Sequence, residues 1–507
     1  MAPEGARMEL SEFTIAELQQ AFERGEWTAA ALIEHYLRRV SEIDSSGPTL
    51  RSLIEVNPDA PAIAEELDAE RRQGRIRGPL HGVPIVVKDS IDTADTMMTT
   101  AGSLALEGNI APRDAFMVEK MRDAGAVILG KANMSEWGYF RSARPCSGWS
   151  SRGGQTRNPY VLDRSPIGSS SGSAVAVAAD LCMGAIGAEV DGSIVRPASA
   201  NGIVGIKPTV GLLSRSGVIG VAAPQDTAGP MGRCVADVAV MLTGLAGYDE
   251  RDPATRSVSA RDVLDYRRFL DPAALRGARL GVARECFGWH EATDKVIEYA
   301  IDQLADLGAE IIDPVQASSL PAFSDLELEL FRYGIKASLN SYLASHPYAA
   351  VRDLGELIRF NEDNASRVMP YFRQEFLQQA QTKAGLDSEE YLGIVAELRR
   401  RSRRDGIDKA LHDHQLDAIV APTEGSPPFV IDPLVGDNVL PGGCSTAPAV
   451  AGYPHISVPA GYVHGLPVGL SFFAGAFAEP QLIGYAYAFE QATRMRRPPR
   501  FSPTLTI

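Results

Sequence analysis

The chain has 507 residues, and at roughly 150 residues per domain that length has room for about three average domains. Hydrophobic residues make up 45% and charged residues 22%, which excludes disorder for the bulk of the chain and allows a large buried core. The formal net charge of −15 argues against a nucleic-acid backbone or an anionic membrane as the main partner.

Five scattered cysteines without a C-x-x-C pair predict reduced thiols, with no disulfide scaffold and no zinc motif. Residues 1–10 carry no apolar core of the secretory kind, and no 18-residue uncharged apolar run occurs. Both features predict a cytoplasmic protein, or a periplasmic or secreted one if a cleaved signal precedes this sequence. Glycine (47) and proline (33) together reach about 16%, against about 12% on average, and predict many turns and tight backbone sites.

Along the chain, Thr14-Ile15-Ala16-Glu17 has the spacing of a capping box, and a second helix is predicted to start at Thr28. Its apolar positions Leu32, Ile33, Tyr36, Leu37, Val40 and Ile43 follow a helical period, so one stripe packs on something larger. Residues 84–87, P-I-V-V between Gly82 and Asp89, read as a buried strand, and residues 124–129 as a strand after a helical stretch. Residues 153–220 are rich in Gly, Ser and Ala, with a small-residue helix over 174–179 and a buried segment over 183–190. Between about 250 and 415 the chain becomes more charged and helical. There Arg399, Arg400, Arg401, Arg403 and Arg404 form a basic run that reads as a solvated helix face. Strands and Gly/Pro turns return over 416–493, ending in a helix over 485–494. The order predicts one α/β core with a helical insertion between its two sheet-forming parts.

Chemistry concentrates between Ser165 and Thr209. Gly168-Ser169-Ser170-Ser171-Gly172 would suit a flexible linker, but an uncharged Ala/Val helix follows directly and must be buried. The loop is therefore predicted to be buried, with partners for its hydroxyls. The same five residues fit the G-x-S-x-G nucleophile elbow with Ser170 central, which needs a downstream acid and histidine. His290, His346, His412, His414, His455 and His464 are available, none in an evident catalytic context. His412-x-His414 lacks a third ligand at metal spacing and reads as a solvent-facing helix end.

Taken together, the ordered motifs resemble the amidase signature family across nearly the whole chain. They are G-V-P-I-V-V-K-D at 82–89, G-S-S-S-G-S at 168–173, D-G-S-I at 191–194, G-I-K-P-T at 205–209, and G-Y-P…P-A-G…G-L-P-V-G from Gly452 to Gly469. The segment 148–160 (G-W-S-S-R-G-G-Q-T-R-N-P-Y) and D-G-S in place of the commoner G-G-S look most like the peptide amidases, which release ammonia from C-terminally amidated peptides. The resemblance implies a single α/β domain with a large mixed β-sheet flanked by helices. Its parts would be N-terminal helices over about 10–75, a catalytic core over about 76–245, a helical insertion over about 250–415 and the rest of the core over about 416–500.

The family's Ser–cis-Ser–Lys triad carries over to Lys88, Ser169 and Ser193, the last two separated by the family's usual 24 residues, which selects Ser169 over Ser170 and Ser171. The peptide bond before Ser169 is then expected to be cis. A serine hydroxyl needs a base that removes its proton during attack. Lys88 serves only when neutral, so its pKa must fall from about 10.4 to near 7–8, a lowering worth roughly 4 kcal/mol against the charged form. Desolvation at the end of an apolar strand, among hydroxyls instead of carboxylates, would supply it, with Asp89 pointing to the opposite face. In isolation Lys88 would equally suit a snorkelling lysine at a strand end; the two serines favour the base.

Backbone N–H groups of Val190, Asp191, Gly192 and Ser193 are implied as the oxyanion hole. Asp191 stands where the family commonly has glycine, and its carboxylate must point away or meet a cation. Arg196 is three residues after Ser193 where the family's arginine is two after, so it receives no role. The expected enzyme hydrolyses linear amides without metal or organic cofactor, as a monomer or homodimer. Rival readings are an amidase of aryl acylamides, esters or small aliphatic amides, and the glutamine-hydrolysing subunit of a tRNA amidotransferase complex. The acidic balance, Asp191 and the Trp149 segment argue against the last.

Overall fold

Most of the apolar runs become strands of one sheet in the computed structural model, which describes residues 12–258, 264–317, 325–439 and 441–505. The stretch 1–10, expected to lack a signal core, lies outside the described residues. In chain order the strands are β1 (Leu53–Val56), β2 (Pro84–Lys88), β3 (Val127–Ala132), β4 (Trp149–Ser150), β5 (Gly154–Gln155), β6 (Gly184–Glu189), β7 (Val204–Lys207), β8 (Thr227–Gly232), β9 (Arg279–Ala283), β10 (Glu310–Val315), β11 (Ala418–Pro422), β12 (His455–Val463) and β13 (Leu466–Phe473). Apart from the small β4–β5 hairpin they form an eleven-stranded sheet in the order β1-β3-β2-β6-β8-β7-β12-β13-β11-β9-β10. Pairing is parallel for β3-β2-β6 and β11-β9-β10, and antiparallel through the middle. The fold is therefore α/β with a large mixed sheet flanked by helices, as expected.

Local chemistry explains the main elements. All five residues of β2 are buried, so its apolar run need not alternate. The helix Ser171–Ala178 is buried along its whole length and packs on β2, β3, β6 and β8, so only small side chains fit there. Thr14 and Glu17 form the expected capping box on Ile15–Glu23, and Thr28 caps Ala29–Arg39 through the N–H of Ala31. The β12–β13 hairpin turns through His464 and Gly465, both at positive φ (49° and 83°), matching the twist of its strands. No helix among the described residues is long and apolar enough to cross a membrane.

Two expectations change. The segment 250–415 is not a purely helical insertion, since β9 and β10 lie within it and complete one end of the sheet. The N-terminal part contributes the edge strand β1 besides its helices. In the basic run, Arg400 and Arg401 pair with Glu397, and Arg404 with Asp405. Arg403 instead donates to the Ala451 carbonyl at 2.8 Å and lies over Tyr453.

Candidate active site

β2, third from one edge of the sheet, ends in Lys88, of which only 2% is exposed. Its Nζ donates to Ser169 Oγ at 2.7 Å and to the Ala188 carbonyl at 2.8 Å. Burial pushes the Lys88 ammonium down to about 7, against the opposing pull of Glu189 and Asp226. The lysine is thus not surrounded by hydroxyls alone: two carboxylates lie within electrostatic reach, and burial raises the pKa of both. Asp89 shares no partner with Lys88; its carboxylate accepts from Thr100 Oγ1 and the Gly102 N–H instead.

The Gly168–Ser169 peptide bond is cis. The three serines have different partners. Ser170, fully buried, donates to the Ala188 carbonyl and accepts from its N–H, which leaves the nucleophile-elbow reading without an exposed hydroxyl. Ser171 donates to the Ile167 carbonyl at 2.6 Å. Gly168 and Gly172 leave no room for a side chain. A Cβ on Gly168 would lie 2.3 Å from Ser135 Oγ, and one on Gly172 would lie 2.1 Å from the Ser52 carbonyl oxygen.

Ser193 sits in the loop between β6 and the short helix Val195–Ala200. The N–H of Ser170 donates to the Ser193 carbonyl at 3.1 Å, tying the two serine segments together. Beyond Ser193, the buried Glu189 carboxylate accepts from the N–H groups of Ile194 (2.7 Å) and Val195 (3.2 Å). The N–H groups of Asp191, Gly192 and Ser193 meet no acceptor among the described residues. Gly192 has φ +72°, and a Cβ there would lie 2.2 Å from Arg196 Cδ, so this turn admits only glycine. The Asp191 carboxylate accepts from Thr446 Oγ1 at 2.8 Å, and burial raises its pKa. Arg196, given no role from sequence, pairs with Glu424 just after β11.

Two cavities meet at Ser193. One, of about 230 Å³, is lined by Lys88, Ser169, Ser193 and Asp226. The other, of about 120 Å³, is bounded by Val190, Asp191 and Ser193 and has an aromatic wall of Phe140, Phe331 and Phe376. The long helix Asp325–Ala344 contributes to both, through Ile335 and Ser338 in the first and Leu328 and Phe331 in the second. Sequence reasoning missed these residues, together with Glu189, Gln225, Asp226 and Glu327. Glu189 alone lay within the stretch Ser165 to Thr209 where chemistry concentrates; the others come from segments with no local signal.

No histidine lines either cavity. His455 is fully buried beside Ser471, and burial pushes it down to about 3, so the ring stays neutral. His412 is exposed beside Asp413. No group of three or more His, Cys, Asp or Glu side chains among the described residues is placed to hold a metal ion. Trp149 packs edge-on to Phe372, ring centroids 5.0 Å apart, and lines neither cavity.

Comparison with known proteins gives the same picture at the level of the whole chain. The model of the amidase family matches residues 31–483. A crystal structure of native peptide amidase from Stenotrophomonas maltophilia shares 49% identity at a TM-score of 0.92, covering 97% of this chain and 99% of that one. A probable amidase of Arabidopsis thaliana is 40% identical, over 97% of this chain and 92% of its own length. A glutamyl-tRNA(Gln) amidotransferase subunit of Symbiobacterium thermophilum is 36% identical, over 94% of this chain and 96% of its own.

Proposed function

The chain belongs to the amidase signature family and is a hydrolase of amide C–N bonds, and on that premise we propose that it releases ammonia from C-terminal peptide amides through an acyl-enzyme on Ser193. The observation that carries this reading is Lys88: a buried amine with its pKa brought to about 7, 2.7 Å from Ser169 Oγ, in a cavity that Ser193 also lines. Neutral Lys88 takes the Ser169 proton as Ser169 takes that of Ser193. Ser193 Oγ then adds to the carboxamide carbon, and the oxyanion is held by the free N–H groups of the 191–193 turn. The proton returns through Ser169 to the nitrogen, the C–N bond breaks and ammonia leaves. Water repeats the relay on the ester, releasing the peptide acid and restoring the serine.

Two observations favour a peptidyl acyl group: the 49% identity to peptide amidase, and the aromatic cavity beside Ser193, which suits a bulky apolar side chain better than the polar side chain of glutamine. The test is ammonia release from a panel of amidated peptides, amino-acid amides, anilides and glutamine. Amidated peptides should lead in kcat/KM. Preference for anilides would move the assignment to aryl acylamides, and glutamine turnover only with a co-purifying partner would move it to the amidotransferase class.

A further inference from the structure

The loop that leads from Gly220 into β8 directs two consecutive side chains to different parts of the site. Asp226 lines the cavity of Lys88, whereas Gln225 turns away, 1% exposed, toward the loop that carries Ser193. The Gln225 side-chain amide donates both its hydrogens: to the Val190 carbonyl at 3.2 Å and to Glu327 Oε1 at 2.8 Å. Glu327 is fully buried and belongs to the long helix Asp325–Ala344, whose other residues wall both cavities.

We infer that Gln225 is a positioning residue for the oxyanion-binding N–H of Asp191, and that Glu327, from the helical insertion, orients it. The argument is geometric and rests on the reading of Ser193 as nucleophile. A trans peptide is planar, with its C=O and N–H antiparallel, so holding the Val190 carbonyl on one side fixes the Asp191 N–H on the other. That N–H meets no acceptor among the described residues, and Asp191 lines the cavity that meets Ser193. The side-chain amide at 225 supplies two donors without a charge, which is what holding a carbonyl and a carboxyl oxygen together takes here. Burial, reinforced by the nearby Asp191, holds the Glu327 pKa well above the usual carboxylate range. A glutamine at 327 would keep the same acceptor.

Steady-state kinetics on an amidated peptide with Gln225→Met, which keeps the volume and removes the donors, test the inference. kcat should fall about 10- to 100-fold with KM within about twofold, the signature of an interaction made only in the transition state. The Ki of a peptide aldehyde, whose adduct places an oxyanion in the same hole, should rise by a similar factor, while that of the matching peptide alcohol stays unchanged. Glu327→Ala should reproduce the loss, and Glu327→Gln should recover about tenfold of it. Wild-type kcat in Gln225→Met, or parallel loss of aldehyde and alcohol binding, would overturn the inference. If Gln225→Met fails to fold, the Glu327 pair decides: equal activity in Ala and Gln variants overturns it. Turnover in Ser193→Ala would instead remove the nucleophile reading itself, so the two failures are distinct.

Discussion

In the proposed mechanism Lys88 is the base, and its environment sets a pH dependence. Burial brings its pKa to about 7 although Glu189 and Asp226 both favour the charged form. Only the neutral amine accepts a proton, so kcat/KM should rise with pH along a limb centred near 7. Asp226→Asn removes one stabilising anion, lowers the Lys88 pKa further and should move that limb to lower pH; a limb that stays put would show that Asp226 is not coupled to the base. Lys88→Ala should lose activity nearly completely, and added zinc should not restore it. The meeting of Lys88 with Ser169, in a cavity that Ser193 also lines, was expected from the sequence because each residue lies in a short motif that resembles the family's. Gln225, Asp226 and Glu327 were not, because their roles exist only after β6, β8 and the insertion have come together.

Among the elements, the long helix Asp325–Ala344 shows how little room the site leaves. A Cβ on Gly334 would lie 2.3 Å from the Val221 carbonyl oxygen and 2.8 Å from Ala222 Cα, so the helix rests directly on the turn that presents Gln225 and Asp226. Gly334→Ala should push the two apart at a cost of about 1–3 kcal/mol in denaturant unfolding. kcat/KM should fall with it, whereas intact kinetics would show that the turn is held independently of the helix. The early strands legible in the sequence, β2 and β3, are buried throughout and are short apolar runs between turn residues. β10 blends into a helical insertion for the opposite reason. β10 is an edge strand with the pattern E-I-I-D-P-V, half of it exposed, and an edge strand carrying charge and proline has no apolar signature.

Over the whole molecule, about three domains by length become one sheet whose two halves share the site. The turn carrying Ser193 comes from the first half, while the partners of its flanking side chains, Glu424 for Arg196 and Thr446 for Asp191, come from the second. Arg196→Met or Glu424→Met alone would leave one largely buried charge unpaired and should cost about 3 kcal/mol. The double replacement should recover most of that loss; additive losses would show that the pair does not join the halves energetically. The acyl-enzyme on Ser193 remains the claim on which the rest depends. Mass spectrometry of enzyme acid-quenched during turnover of an amidated peptide tests it most directly. The Ser193-containing peptide should gain the mass of the peptidyl group, and Ser193→Ala, still folded, should carry no adduct and release no ammonia. An adduct on another residue, or steady ammonia release by Ser193→Ala, would contradict the account.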